Sequence, residues 1–453
     1  MLRIPLHMLT PRQVKRIKRA LTLRLPSADY GFGEGPRSFA AYKDDGIVLS
    51  VPRNWADARS YLRHSAFEDR RAHGTPINLT FNTTFRPGQH QFVEDIVSGI
   101  RRNGLGAIGQ AGCGFGKTAC ATAVMAELDT TTLVVVHKEK LMQQFSDACQ
   151  QFLGVKPGII QGNRCEYKGF PISIGMIQSL YQRDHGPDFY NYFGLLVCDE
   201  THRMAAPTFN EAICKINSRY RLGLTATPRR GDNLEDVFFW HIGEIESVGR
   251  GQFLDCSVYQ IDWNPQLKRG QWMFRGRPHL GRMITALAKD SDRTGMLCRL
   301  IAKATRAGRN SLVLSDRCAH VDDICNRLQL GFKAAGESYT VGVFRAGGTK
   351  KVKAERARAV DCDVTIGTWA MAMEGLDIPA KDTVFFATPK ADVEQACGRI
   401  RRIYGSKKPP MIVDICDDLG FLHRFARKRE NYYVTSGLDK GVWVIRYVKR
   451  VAA

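Results

Sequence analysis

The chain has 453 residues, 44% of them hydrophobic, long enough for about three domains with sizeable cores and too apolar for a disordered polypeptide. No run reaches the roughly 18 to 20 apolar residues of a membrane-spanning helix, and Met1 to Leu9 is too short and interrupted for a secretory signal; a cytoplasmic protein without membrane contacts is expected. Lysine and arginine outnumber acids 66 to 45, a net charge of +21, which fits a polyanionic partner because such side chains neutralise phosphates and release counterions. The 13 cysteines are scattered singly without a Cys-x-x-Cys pair, so neither a zinc ribbon nor a disulfide framework is suggested.

In chain order, residues 1–80 contain the basic segment Pro11 to Leu21, where Val14, Ile17 and Leu21 fall on one helical face with cations elsewhere. An amphipathic helix is expected, either touching a duplex backbone or lying on a solvated surface. From about Phe85 to Gly249, strand-like runs at 106–109, 132–137, 172–176, 193–198 and 222–225 alternate with helix-like stretches. This βαβ series predicts a mostly parallel sheet covered on both faces. Residues 251–278, with Asn264-Pro265 and several Gly and Arg, read as a connection. A second series begins near Leu280, with helices at 296–307 and 321–328 and strands at 311–314, 341–344, 364–367, 383–387 and 411–415. The final stretch, Tyr432 to Val451, alternates apolar and basic residues and reads as a strand that extends the second sheet or meets DNA.

Within the first series, Ala111-Gly112-Cys113-Gly114-Phe115-Gly116-Lys117-Thr118 has phosphate-loop spacing between a strand and a helix. Glycines let backbone N–H groups turn toward phosphate oxygens, and the helix N-terminus adds positive dipole character. Lys117 is placed to reach the β- and γ-phosphates and Thr118 to hold Mg²⁺. Some eighty residues later an apolar strand delivers Asp199-Glu200-Thr201-His202 at its C-terminal end, where ligands bind in open α/β sheets. Asp199 is suited to the Mg²⁺ site, and Glu200 to orienting and deprotonating a water. Cys113, inside the loop, is a candidate reactive thiol.

With these runs and those that follow, the chain resembles superfamily 2 helicases of the Asp-Glu-x-His group, which contains the phage branch-migration helicases. The resemblance covers about residues 81–430 and implies an α/β fold of two tandem RecA-like parallel-sheet domains with a smaller N-terminal accessory domain. The boundaries expected are 1–80 for the accessory, DNA-binding domain, 81–250 for the first RecA-like domain with the ATP site, and 251–453 for the second.

Arg86-Pro87-Gly88-Gln89 is similar to the family's adenine-recognition element and implies ATP. Val134-Val135-Val136-His137-Lys138, with Leu141 and Gln144, resembles a phosphate-holding motif, although His137-Lys138 replaces the usual Pro-Thr. Ile174 to Ser179 resembles another nucleic-acid element, with Gln178 retained and Met176 where Thr is common. Thr225-Ala226-Thr227-Pro228 looks like the coupling motif, whose hydroxyls are expected to reach His202. Gly367-Thr368 and Glu374 to Pro379 resemble the fifth motif, giving Thr368 to the nucleic-acid backbone and Gly375 and Asp377 to the nucleotide. Gln395 to Arg402 resembles the sixth, with Ala396 in place of a common Arg; Arg402 is expected as the arginine finger, Arg399 as a second γ-phosphate contact and Gln395 as a coupling residue.

The implied activity is an ATP- and Mg²⁺-dependent DNA helicase, monomeric or weakly associating, that unwinds or branch-migrates forked and junction DNA in replication, recombination or repair. Its expected polarity is 3′→5′, and its place is the host cytoplasm if the protein is viral. A duplex-DNA translocase, an ATP-gated clamp and an RNA helicase remain as alternatives.

Overall fold

The computed structural model describes residues 1–24, 38–55, 69–112, 114–201, 207–226, 235–249, 251, 253–344, 350–373, 378–405, 407–438 and 442–446. The chain divides into two compact units, Met1–Gly251 and Gln252–Ala453. Among the described residues no helix is long and apolar enough to cross a membrane.

The first unit is built on an eight-stranded sheet among the described residues. Its order is Ile245–Gly249, Gly106–Ala111, Tyr220–Thr225, Leu195–Asp199, Thr132–Val136, Ile172–Met176, Gly158–Gln161 and the antiparallel edge strand Arg164–Cys165. The central strands are short runs of β-branched and aliphatic residues buried on both faces, as a parallel sheet with helices on each side requires. Helices pack against it through stripes such as Phe92, Val93, Ile96, Val97 and Ile100 of Gln89–Asn103. That helix is bracketed by Gly88 and Gly104, both left-handed, where a side chain would be strained.

Strand register positions the candidate site. Asp199 lies opposite Leu224, and Leu224 opposite Gly109. The loops after Ala111 and Asp199 therefore leave the same edge of the sheet with one strand between them.

Near the N-terminus, Leu2–Pro5 and Lys43–Asp44 flank Val48–Val51 in an antiparallel sheet. The basic helix is present as Pro11–Ala20, opened by a reciprocal cap between Thr10 and Gln13. Ile17 and Leu21 are buried and Val14 is half-buried, while Arg12, Lys15, Arg16 and Arg19 are exposed. Its apolar face joins Ile4, Leu49 and Val51 in a core completed by Val237 and Trp240 of helix Glu235–His241.

The second unit carries a seven-stranded parallel sheet among its described residues, ordered Val341–Phe344, Val364–Thr368, Ser311–Ser315, Thr383–Phe386, Met411–Asp417, Ser257–Trp263 and Val442–Arg446. Two expectations are corrected here. Residues 251–278 are more than a connection, because Ser257–Trp263 runs inside the sheet, parallel to both neighbours. The end of the chain is not one continuous strand either: Tyr432 to Thr435 finish helix His423–Thr435, and among the described residues that follow, Val442–Arg446 extends the sheet. Buried ion pairs fasten helices to this sheet; Arg293 grips Asp417 through two hydrogen bonds of 2.7 and 2.8 Å. Arg429 and Tyr433 both donate to Asp414 at 2.9 Å.

Candidate functional site

The sequence strand–loop–helix of the glycine-rich run is realised as Gly106–Ala111, then the loop, then Lys117–Leu128. Gly114 and Gly116 have φ of +87° and +94°, a conformation L side chains rarely adopt. A Cβ on Gly116 would also stand 2.4 Å from Nε2 of Gln89. That amide donates to the Phe115 carbonyl at 2.6 Å and accepts from the Arg86 N–H at 2.8 Å. The Arg86-Pro87-Gly88-Gln89 segment thus braces the loop from behind, and one N–H and one lone pair of the amide remain for any base. Phe115 fixes the loop from within: its buried ring packs edge-on against Phe92 and closely over Gly249.

Lys117 donates to the Ala111 carbonyl at 2.8 Å, so its ammonium lies at the loop mouth. The Thr118 hydroxyl accepts from the amide of Gln144 at 2.9 Å. Asp199 ends its strand buried. Burial raises its carboxyl to about 7, with the neighbouring Glu200 charge adding to the rise and Lys117 opposing it. The loop lysine and the strand-end carboxylates therefore share one electrostatic environment. Glu200 has φ +53°, an unusual conformation for a long side chain and typical of strained functional turns. Thr201 donates to the Leu224 carbonyl at 2.9 Å, linking the carboxylate turn to the strand ending at Thr225, which is fully buried.

A second group of candidates sits two strands further along the same sheet. Met176 lies opposite Val136, which brings the His137-Lys138 turn beside the start of helix Ile177–Gln182. Gln178 donates to the His137 carbonyl at 3.3 Å, and Lys138 precedes helix Glu139–Leu153. In the second unit, Thr368 ends strand Val364–Thr368 and accepts from the Met371 N–H at 3.4 Å. Gln395 and Arg399 lie on helix Glu394–Ile400, half-buried and buried respectively. Arg402 follows that helix and forms a β-bridge with Phe253.

The fold brings together Arg86, Gln89, Ala111, Gly112, Gly114, Gly116, Lys117, Thr118, Asp199 and Glu200 in the first unit, and Thr368, Gln395, Arg399 and Arg402 belong to the second. Cys113, His202, Thr227, Pro228 and residues 374–377, including Gly375 and Asp377, lie outside the described residues. Residues to which the sequence reading gave no task are Phe115 and Thr201. An aromatic inside a glycine-rich loop is the signal that marked the first; nothing local marked the second.

A family model described as "Type III restriction enzyme, res subunit" matches residues 82–230. "Putative ATP-dependent RNA helicase L396" of Acanthamoeba polyphaga mimivirus is 28% identical over 404 residues, 87% of this chain and 76% of that protein. "Probable helicase D10" of Escherichia phage T5 is 23% identical over 331 residues, 72% of this chain and 70% of that protein. Among solved structures, the ATP-dependent Type ISP restriction-modification enzyme LlaBIII bound to DNA shares the fold, with a TM-score of 0.60 at 14% identity over 82% of this chain and 32% of that one. With two RecA-like parallel-sheet domains and these relatives, the chain resembles the superfamily 2 helicases of phages and other viruses.

Proposed function

We propose that this protein is an ATP-dependent helicase, a motor on DNA that unwinds or branch-migrates forks and junctions, as the family resemblance implies. The observation that carries the ATPase part is the convergence of Lys117, Thr118 and the buried Asp199-Glu200 turn at one sheet edge. A threonine hydroxyl and a carboxyl raised by burial are hard oxygen donors suited to Mg²⁺. A cation beside Asp199 offsets the cost of ionising it. Thr118 and Asp199 would hold the ion, whose chemistry is to neutralise phosphate charge and fix the γ-phosphate in line.

The chain's own groups do the rest. Lys117 and the loop N–H groups bind the β- and γ-phosphates, while Glu200 orients the attacking water and takes its proton. Gln89 contributes its remaining amide valences to the base, and Gly375 and Asp377 approach the nucleotide. Arg402, with Arg399, stabilises the developing phosphoryl charge. Lys138, Gln178 and Thr368 hold backbone phosphates, which makes action largely independent of sequence. His202, Thr225, Thr227 and Gln395 relay the nucleotide state to those contacts. Residues 1–80, with the cationic face of Pro11–Ala20, form the accessory DNA-binding region. Separating a base-pair step costs about 1.4 kcal/mol, which static contacts cannot supply repeatedly and ATP turnover can.

A second reading, an RNA helicase, is favoured by the name of the mimivirus relative. ATP-dependent strand separation on forked DNA, a mobile four-way junction, blunt duplex and an RNA fork, with Lys117→Ala as control, tests both. DNA-fork and junction activity absent from the control supports the proposal; activity on the RNA fork alone replaces it with the second reading. Nucleic-acid-stimulated ATPase without strand separation overturns it in favour of a translocase or clamp.

A further inference from the structure

We infer that the hairpin at 273–278 in the second unit is a base-stacking platform for single-stranded nucleic acid, with Phe274 as the stacking residue. The inference rests on the nucleic-acid reading above and adds a site to it. Strands Met273–Phe274 and Arg277–Pro278 pair antiparallel across the two-residue turn Arg275-Gly276. Both turn residues have positive φ, +48° and +75°, the arrangement that matches strand twist in a tight hairpin.

The hairpin presents Phe274 with 45% of its surface exposed. The guanidiniums of Arg282 and Arg275 lie 4.9 and 5.4 Å from the ring centroid, and His279 meets the ring edge-on at 5.8 Å. Arginine planes and phenylalanine rings are the surfaces on which unpaired bases stack. Residues 263–289 contain Lys268, Arg269, Arg275, Arg277, Arg282 and Lys289 and no acid. All six cations are exposed, so phosphates on either side of a stacked base would meet complementary charge. A duplex offers phosphates alone, because its base faces are already stacked; the combination of a half-exposed ring and cations fits a single strand.

The platform is anchored. Arg282 donates to the Met273 carbonyl at 2.9 Å, and the His279 N–H to the Trp272 carbonyl at 3.1 Å. Below it, Trp272 packs with Met283, Leu287, Leu419 and Leu422. Gly420, at φ +55°, sits against this cluster, and a Cβ there would come within 2.8 Å of Met283 Sδ. Phe274 is thus held out from a packed base, and stacking it costs little ordering entropy.

The test uses the full chain and short single-stranded DNA and RNA oligonucleotides containing 2-aminopurine, whose fluorescence is quenched by stacking. Wild type is expected to quench at least one of them, identifying which strand the platform takes. Phe274→Ala should abolish the quenching and weaken binding roughly 5- to 100-fold, and Phe274→Tyr should retain both. Arg277→Gln should weaken binding without removing the quenching and lower the salt slope by about 0.7. Wild-type affinity and quenching in Phe274→Ala would overturn the inference while leaving the motor reading intact, and so would a Phe274→Tyr protein as impaired as the alanine variant. Failure of wild type to bind either oligonucleotide would overturn the nucleic-acid reading, and this site with it.

Discussion

Asp199 and Glu200 are adjacent in sequence and differ in task because the backbone treats them differently. Asp199 is the last residue of a buried strand, whereas Glu200 sits in a left-handed turn that swings its side chain away from the strand direction. If Glu200 is the general base, Glu200→Gln keeps the shape and nucleotide affinity and slows single-turnover ATP hydrolysis about 10²- to 10⁴-fold; unchanged turnover would remove it from that role. Gly116 allows a second test. A methyl group there meets both a positive φ and the Gln89 amide 2.4 Å away, a strain of about 1–3 kcal/mol or more. Gly116→Ala should therefore weaken binding of a fluorescent ATP analogue at least about tenfold, and an unchanged titration would show that the loop tolerates the shift. Spacing alone pointed to the loop, the lysine and the two acids. The contacts that brace them, Gln89 to Phe115 and Gln144 to Thr118, each join residues 26 apart, and no local pattern encodes such a meeting.

Elements with strong apolar runs were legible: the strands at Thr132–Val136, Ile172–Met176 and Val341–Phe344 fall where the sequence put them. Ser257–Trp263 was not, because Gln260 and Asp262 interrupt its apolar pattern and the Asn-Pro and Gly-Arg residues that follow signal a loop. Gln260 is nevertheless buried, paid for by its place between two parallel neighbours. Another polar group inside this unit has a measurable consequence. His320, in the first turn of helix Cys318–Ala334, is buried between the hydroxyls of Thr294 at 3.2 Å and Ser315 at 3.0 Å. Burial first, and then the Arg293 charge, lower it from 6.5 to about 3. Between those values the unfolded chain binds a proton that the folded chain refuses. The contribution is complete above about pH 6.5 and shrinks as pH falls toward 3, by about 2 kcal/mol at pH 5. His320→Gln, which can keep hydrogen bonds but does not titrate, should lose less stability than wild type when urea unfolding is moved from about pH 7.5 to 5. Equal losses would mean that His320 carries no proton linkage.

For the molecule as a whole, the net charge of +21 and the division into two units bear on the same question, how nucleic acid and ATP act on each other. A chain that neutralises several phosphates should bind less tightly as salt rises, with an affinity loss of at least about tenfold between 50 and 200 mM; a flat response would mean that its charge is not used on a backbone. The coupling itself is tested at Arg402. The loop, the lysine and both acids belong to the first unit, and Arg402 belongs to the second. If Arg402 stabilises charge that develops only as the phosphoryl group transfers, its loss leaves ground-state nucleotide binding alone and removes rate. Arg402→Ala is then expected to bind ATP with wild-type affinity while nucleic-acid-stimulated turnover falls on the order of 10³-fold. Arg402→Lys should recover little, because a single ammonium does not reproduce the planar fork of a guanidinium. A structural role would behave otherwise: lost packing of the arginine stem would lower thermal stability in the alanine variant, and the long stem of lysine would restore it. Stimulated turnover at the wild-type rate in Arg402→Ala would assign the finger to another cation and leave Arg399, buried on the preceding helix, as the residue to change next.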